Sequence, residues 1–169
     1  GSSRFGKDNR YGIFPSVSAG WIVSEEKFLS DAGFLSFLKL RGSFGRTGNA
    51  EIGNFSSLTL YGASAYADVA GLISTQIGVP NLSWERTDQL DVGLDFGFLD
   101  NRISGEIDYF KKKTKDLLLD VPVPATNGFT TITRNIGDME NEGWEFVVNG
   151  SILTGNFKWN ASVNISTYK

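Results

Sequence analysis

Four carboxylates, Asp91, Asp95, Glu106 and Asp108, alternate along two neighbouring stretches of the chain, and paired carboxyl groups are the working parts of glycoside hydrolysis. A sheet face lined with solvated carboxylates accounts for the same residues without catalysis, and that is the reading adopted. The remaining chemistry is sparse. There is no Cys, which excludes disulfides, thiolate metal sites and cysteine nucleophiles, and no His, which removes the commonest general base, the commonest metal ligand and every Ser-His triad. Gly42, Gly45 and Gly48 are spaced by three, unlike a dinucleotide fingerprint, and no helix pattern follows them to cradle a phosphate. Lys111, Lys112, Lys113 and Lys115 form a basic run, but the net charge of −3 argues against nucleic acid. Anionic lipid headgroups or solvent suit that run better. No enzyme activity, metal or cofactor is expected.

The elements that must position these residues are read from periodicity. The 169 residues are 40% hydrophobic and 13% aromatic, enough to fold as one unit, yet an uninterrupted apolar run such as Ala19–Val23 is only five residues long. A membrane helix needs about 20. A membrane β-strand needs only about 9–11, with every second one apolar. From Gln89 to Phe98 the even positions are Leu90, Val92, Leu94, Phe96 and Phe98, and the odd ones are polar or Gly. From Phe157 to Ser166 the odd positions Phe157, Trp159, Ala161, Val163 and Ile165 alternate with Lys, Asn and Ser. Trp144, Phe146, Val148 and Ile152 repeat the pattern, as do Ile103, Ile107 and Tyr109; weaker versions run through Ile13–Val23 and Leu38–Phe44. Six antiparallel strands are predicted.

The predicted connections are unequal. Asp100-Asn101 and Thr154-Gly155-Asn156 are tight turns, and Ser24 to about Ser36 is a longer link with one helical turn near Glu25–Leu29. At the other end, Gly48 to Leu82 and Leu118 to about Asp138 are long loops rich in small polar residues. Short turns at one end and long loops at the other are the asymmetry of an outer-membrane barrel. Aromatics of the apolar parity fall into two groups: Trp21, Phe98, Phe157 and Trp159 near the short turns, and Tyr11, Phe44, Trp84, Tyr109 and Trp144 near the long loops. They read as lipid-facing girdles about 25 Å apart. Tyr61 and Tyr66, in the first long loop, are the candidates for substrate contact. The competing interpretation of the alternation is a soluble secreted β-sandwich, a carbohydrate-binding or adhesion module.

Several words of the sequence carry a resemblance: Ser3-Arg4-Phe5-Gly6, Phe14-Pro15-Ser16-Val17-Ser18-Ala19-Gly20-Trp21, Leu38 through Asn49, Pro80-Asn81-Leu82-Ser83-Trp84-Glu85, and Asn135 through Glu145. In their order and spacing the chain resembles the barrel of SusC/RagA-like TonB-dependent outer-membrane transporters nearly end to end. Asp108 through Asp116 fits the same pattern at the end of its strand. The resemblance implies an all-β fold, about six strands of a transmembrane barrel that totals about 22. Residues 1–169 would be one part of that barrel, with the plug domain and the barrel-closing strands absent. It further implies import of oligosaccharides, or secondarily peptides, across the bacterial outer membrane. The implied partners are the rest of the barrel and plug, a SusD-like surface lipoprotein, TonB acting through the plug, and outer-membrane lipid.

Overall fold

A computed structural model describes residues 1–29, 33–66 and 69–169. Ten strands are present among them: β1 (Ser16–Ile22), β2 (Leu35–Asn49), β3 (Leu60–Tyr66), β4 (Val69–Gln76), β5 (Glu85–Phe98), β6 (Ile103–Lys115), β7 (Leu118–Pro122), β8 (Thr131–Asn135), β9 (Met139–Thr154) and β10 (Lys158–Tyr168). Six of them form one sheet in the order β1-β2-β5-β6-β9-β10, and β3-β4 and β7-β8 are separate two-stranded hairpins. The six alternating segments of the sequence are the six strands of the main sheet. The two long loops, predicted without strands, each hold a hairpin.

The described chain divides into two compact units. The first comprises Pro15–Arg46, Asp88–Lys113 and Glu140–Lys169 and is the sheet; the second comprises Gly1–Phe14, Thr47–Thr87 and Thr114–Met139 and carries both hairpins.

In the sheet, β1 pairs antiparallel with β2 from Ser16↔Gly45 to Ile22↔Lys39, which puts Val17 opposite Phe44 and Trp21 opposite Leu40. Apolar residue meets apolar residue across the ladder, as one shared face requires. The β9–β10 register likewise sets Phe146 against Ile165 and Val148 against Val163. It then slips between Trp159 and Asn160, so that Leu153, not Ile152, lies opposite Trp159. A bulge adds a residue to one strand and reverses its parity beyond that point, which is why the alternation read through Ile152 fails there. Between β5 and β6 the turn is tight: Arg102 N–H donates to Leu99 O at 3.1 Å, and Leu99, Asp100 and Asn101 have φ of 54°, 56° and 59°. Positive φ at both central residues is what a two-residue hairpin needs to follow the strand twist, and Asp and Asn tolerate it well. Two glycines let neighbouring rings lie flat. A Cβ on Gly105 would meet the Phe96 ring, and one on Gly143 the Phe110 ring. The helical turn expected near Glu25–Leu29 is a 3-10 turn at Val23–Glu25, and residues 30–32 of that link lie outside the described residues.

The second unit has its own core. Phe5 and Leu82 are each 1% exposed, and Trp84 packs against Phe5 and Phe14 with ring centroids 5.1 and 5.2 Å away. Trp84 precedes β5, and its indole N–H donates to Asn9 O at 3.0 Å. The apolar parity that placed it in a lipid-facing girdle therefore does not apply: its ring builds the loop unit.

Candidate functional site

The polar face of the sheet is built by residues one step out of phase with the apolar ones. Arg41 on β2 shares its guanidinium among three carboxylates: Nε to Asp95 Oδ1 at 2.9 Å, Nη2 to Asp108 Oδ2 at 2.7 Å and Nη2 to Glu106 Oε2 at 3.4 Å. Ser43 Oγ donates to Asp91 Oδ2 at 3.1 Å, and the Gln89 amide donates to both Asp91 oxygens. The four carboxylates singled out in the sequence are thus on one face, three of them ion-paired with Arg41 and the fourth, Asp91, hydrogen-bonded to Ser43 and Gln89. Such an arrangement suits a lining better than an acid–base pair, because none of the three around Arg41 can take up a proton without losing a charge-assisted bond. Beside it runs a trough of about 340 Å³ lined by small residues, Ser18, Gly20 and Ser43, with Lys39, Arg41 and Asp91 at its margins. Sequence reasoning passed over Arg41. Its parity on β2 was legible, whereas its three partners depend on cross-strand register.

The apolar face carries Val17, Leu40, Leu90, Val92, Val148, Val163 and Ile165, all exposed in this chain. Trp21 on β1 is exposed and its indole N–H donates to Glu26 Oε1 at 2.9 Å. Phe98 closes β5 and stacks on Phe34 with centroids 6.2 Å apart. Phe157 sits in the β9–β10 turn, 72% exposed, and Trp159 follows on β10. At the other ends of the strands, Tyr109 and Trp144 lie 5.1 Å apart, and Trp144 stacks with Phe146. Tyr11 is exposed, precedes β1 and belongs to the loop unit.

Two residues beyond Tyr109 and Trp144 the same parity becomes charged. Lys111 Nζ is 2.6 Å from Glu140 Oε1 and 3.1 Å from Glu142 Oε2, Lys113 Nζ is 3.3 Å from Glu140 Oε2, and the Tyr109 hydroxyl donates to Glu142 at 3.0 Å. Hydrogen bonds from Lys111, then Lys113, hold the Glu140 carboxyl below its ordinary value; those from Lys111, then Tyr109, do the same for Glu142. The Lys111 ammonium is correspondingly raised, first by Glu140 and then by Glu142. Arg46 forms a two-pronged pair with Asp88. The basic run is therefore partly consumed by carboxylates of β9.

In the loop unit the recognisable words of the sequence meet. Phe5 of the first word packs on Trp84 of the fourth, and Arg4 Nη1 donates to Ala50 O at 2.8 Å. Asn135 and Ser83 exchange hydrogen bonds, Ser83 N–H to Asn135 Oδ1 at 2.8 Å and Asn135 Nδ2 to Ser83 O at 2.9 Å, and Asn135 Nδ2 also donates to Asp116 O. These residues tie both long loops at their bases. Tyr61, on β3, is 67% exposed, while the Tyr66 side chain lies outside the described residues. Tyr61 is not among the described residues that line the cleft of about 260 Å³ in this unit, which is walled by Ser56, Thr75, Gln76, Phe129, Thr131 and Thr133, with Gly53, Ile77, Val79 and Ile132. Its walls come from three segments between Gly53 and Thr133, with no shared spacing to announce them.

Comparison with known proteins agrees with this two-faced sheet. The family described as TonB dependent receptor-like, beta-barrel, matches residues 1–169. The chain is 46% identical over 176 residues to the TonB-dependent receptor SusC of Bacteroides thetaiotaomicron, covering 98% of this chain and 18% of that protein. It is 42% identical over 168 residues to the TonB-dependent receptor P39 of Formosa agariphila, covering 98% of this chain and 16% of that one. Among solved structures, the RagAB peptide transporter matches 98% of this chain and 18% of its own with 38% identity and a TM-score of 0.86, and the RagAB peptide importer in the closed-closed state reaches 0.88. The chain spans less than a fifth of the length of these relatives. The soluble sandwich left open by alternation alone gives way to these matches. The chain belongs to the TonB-dependent receptor-like β-barrel family of the bacterial outer membrane, and stands within it beside the SusC- and RagA-like members.

Proposed function

We propose that the protein of which residues 1–169 form a part imports oligosaccharides or peptides across the outer membrane, and that this chain supplies barrel wall and two surface loops. The observation that supports it is the sheet itself. One face is apolar and open along its length, the other is small, polar and ion-paired around Arg41, as a wall between lipid and an aqueous or plugged lumen requires. Trp21, Phe98, Phe157 and Trp159 would form the girdle at the short turns and Tyr109 and Trp144 the girdle at the long loops, about 25 Å apart across the apolar band. A plug domain and the barrel-closing strands would come from the rest of the polypeptide. TonB would act through that plug, drawing on the inner-membrane proton gradient, and a SusD-like lipoprotein would cover the loops.

Uptake of labelled oligosaccharide and peptide mixtures by cells carrying the full-length protein tests this reading. Uptake that disappears on deletion of TonB or collapse of the proton gradient is expected. Uptake unaffected by both would refute it.

A further inference from the structure

The two long loops are fastened to each other at their bases by side chains of particular chemistry. Asn135 closes β8, and its amide exchanges hydrogen bonds in both directions with the backbone of Ser83, two residues before β5, while also donating to Asp116 O at 2.8 Å. A primary amide suits this place because it accepts with Oδ1 and donates twice with Nδ2, whereas a carboxylate only accepts. Its partners on Ser83 are a main-chain N–H and C=O, so Asn135 stands where a paired strand residue would stand. Ser83 in turn lies between Leu82 and Trp84, both members of the core of the loop unit.

Glu85, the first residue of β5, makes a second link. Its Oε2 accepts the Leu118 N–H at 3.1 Å, at the start of β7, and its Oε1 accepts from Asn49 Nδ2 at 3.3 Å, at the end of β2. One carboxylate thus holds the residue from which the first long loop departs and the residue that begins the hairpin of the second. Arg86 Nη2, 2.6 Å from Asp116 Oδ2, adds an ion pair to the same joint. Farther along, the end of β4 and the start of β8 wall the same 260 Å³ cleft, so the hairpins are neighbours beyond the joint as well.

A lone two-stranded hairpin is marginally stable, and β3–β4 and β7–β8 are each paired only within themselves. The order of each therefore depends on what its base is fastened to, and those bases are fastened to each other. We propose that the two loops open and close as one body, latched through Asn135 and Glu85, so that whatever orders one loop at the cell surface orders the other. Local opening then involves both hairpins as one cooperative unit. The coupling is reciprocal, since a free energy that links two elements acts equally in both directions. The inference stands on contacts inside the loop unit and holds whatever solute is imported.

The test is amide hydrogen exchange, read by mass spectrometry, on the full-length protein in detergent micelles. Cysteines are placed by Ala63→Cys and Leu72→Cys, positions that face each other across β3 and β4, and exchange is compared with the disulfide formed and reduced. Forming it should slow exchange in β7 and β8 by roughly threefold or more, although neither cysteine lies there. With Asn135→Ala added, the slowing should be confined to β3 and β4. Without the cysteines, Asn135→Ala should speed exchange in both hairpins by roughly fivefold or more, as loss of hydrogen bonds worth a factor of about two to ten each implies, and leave β1 and β10 unchanged. Asn135→Asp keeps only the bond from the Ser83 N–H and should fall between. Exchange in β7 and β8 that ignores the disulfide overturns the proposal without any change to the latch. Acceleration confined to β7 and β8 in Asn135→Ala overturns it too, because a purely local support would give that result. A disulfide effect that survives Asn135→Ala undiminished overturns the assignment of the latch.

Discussion

Arg41 sits among Asp95, Glu106 and Asp108, and its removal would leave three carboxylates to repel one another on one face of the sheet. Because the guanidinium is about a third exposed, solvent screens each pair, and Arg41→Met is expected to cost roughly 1 kcal/mol of barrel stability in the full-length protein. Urea titration in liposomes checks this, and Asp95→Asn should cost less because only one partner is lost. Leu94, the neighbour of Asp95, has the opposite environment: Leu94→Arg should cost about 2–4 kcal/mol and reduce the folded fraction, as a charge near the middle of the lipid face does. The pairs at the long-loop ends give a pH dependence. Glu140 and Glu142 have lowered values in the fold, so their contribution is complete above the ordinary Glu value of about 4.3 and is lost as pH falls through the lowered folded values. Lys111 is raised, so its contribution is complete below the ordinary Lys value and is lost only in strong alkali. Acid titration of the barrel should show a transition below about pH 4.3 that Glu140→Gln with Glu142→Gln abolishes. The parity of Arg41, Leu94, Asp95, Glu106 and Asp108 was legible in the sequence. Their pairings were not, since alternation specifies a face and says nothing about which residues of the next strand stand opposite.

The strands were legible where lipid and lumen demand opposite chemistry, and obscure where that demand ends. β5 was found from Gln89 and runs from Glu85; β6 was found to Tyr109 and runs to Lys115. Beyond the aromatic residues both faces of a strand meet polar surroundings, and the period-two signal vanishes although the ladder continues. β3 and β4 escaped for the same reason: together they form a two-stranded ribbon, rich in Gly, Ala and Ser, with no face to bury. The loop unit instead depends on specific packing. Trp84→Ala would remove the ring that packs on Phe5 and Phe14, and is expected to cost about 3 kcal/mol within the loops while the sheet stays inserted. Limited proteolysis of intact cells checks it, with faster cleavage between Gly48 and Leu82 and unchanged membrane levels. Deleting β3 and β4 as a hairpin should similarly preserve assembly and lower uptake, because neither strand is paired to the main sheet.

At the scale of the whole molecule the proposed wall rests on a single asymmetry: adjacent residues of one strand would face lipid and lumen in turn. The resemblance in the sequence words and the matched family agree on the fold; of those words, two lie mostly in β1 and β2 of the sheet, while Phe5, Leu82, Trp84 and Asn135 pack or hydrogen-bond within the loop unit. The asymmetry itself is measured most directly by placing single cysteines at Val92, Gly93, Leu94, Asp95, Val163 and Asn164 of the full-length protein in liposomes, attaching a spin label, and comparing relaxation by dissolved oxygen with relaxation by a water-soluble nickel chelate. Oxygen should dominate at Val92, Leu94 and Val163, and the chelate at Gly93, Asp95 and Asn164. Equal accessibility along the strand, or oxygen dominance at Asp95 and Asn164, would contradict the facing on which the whole account stands.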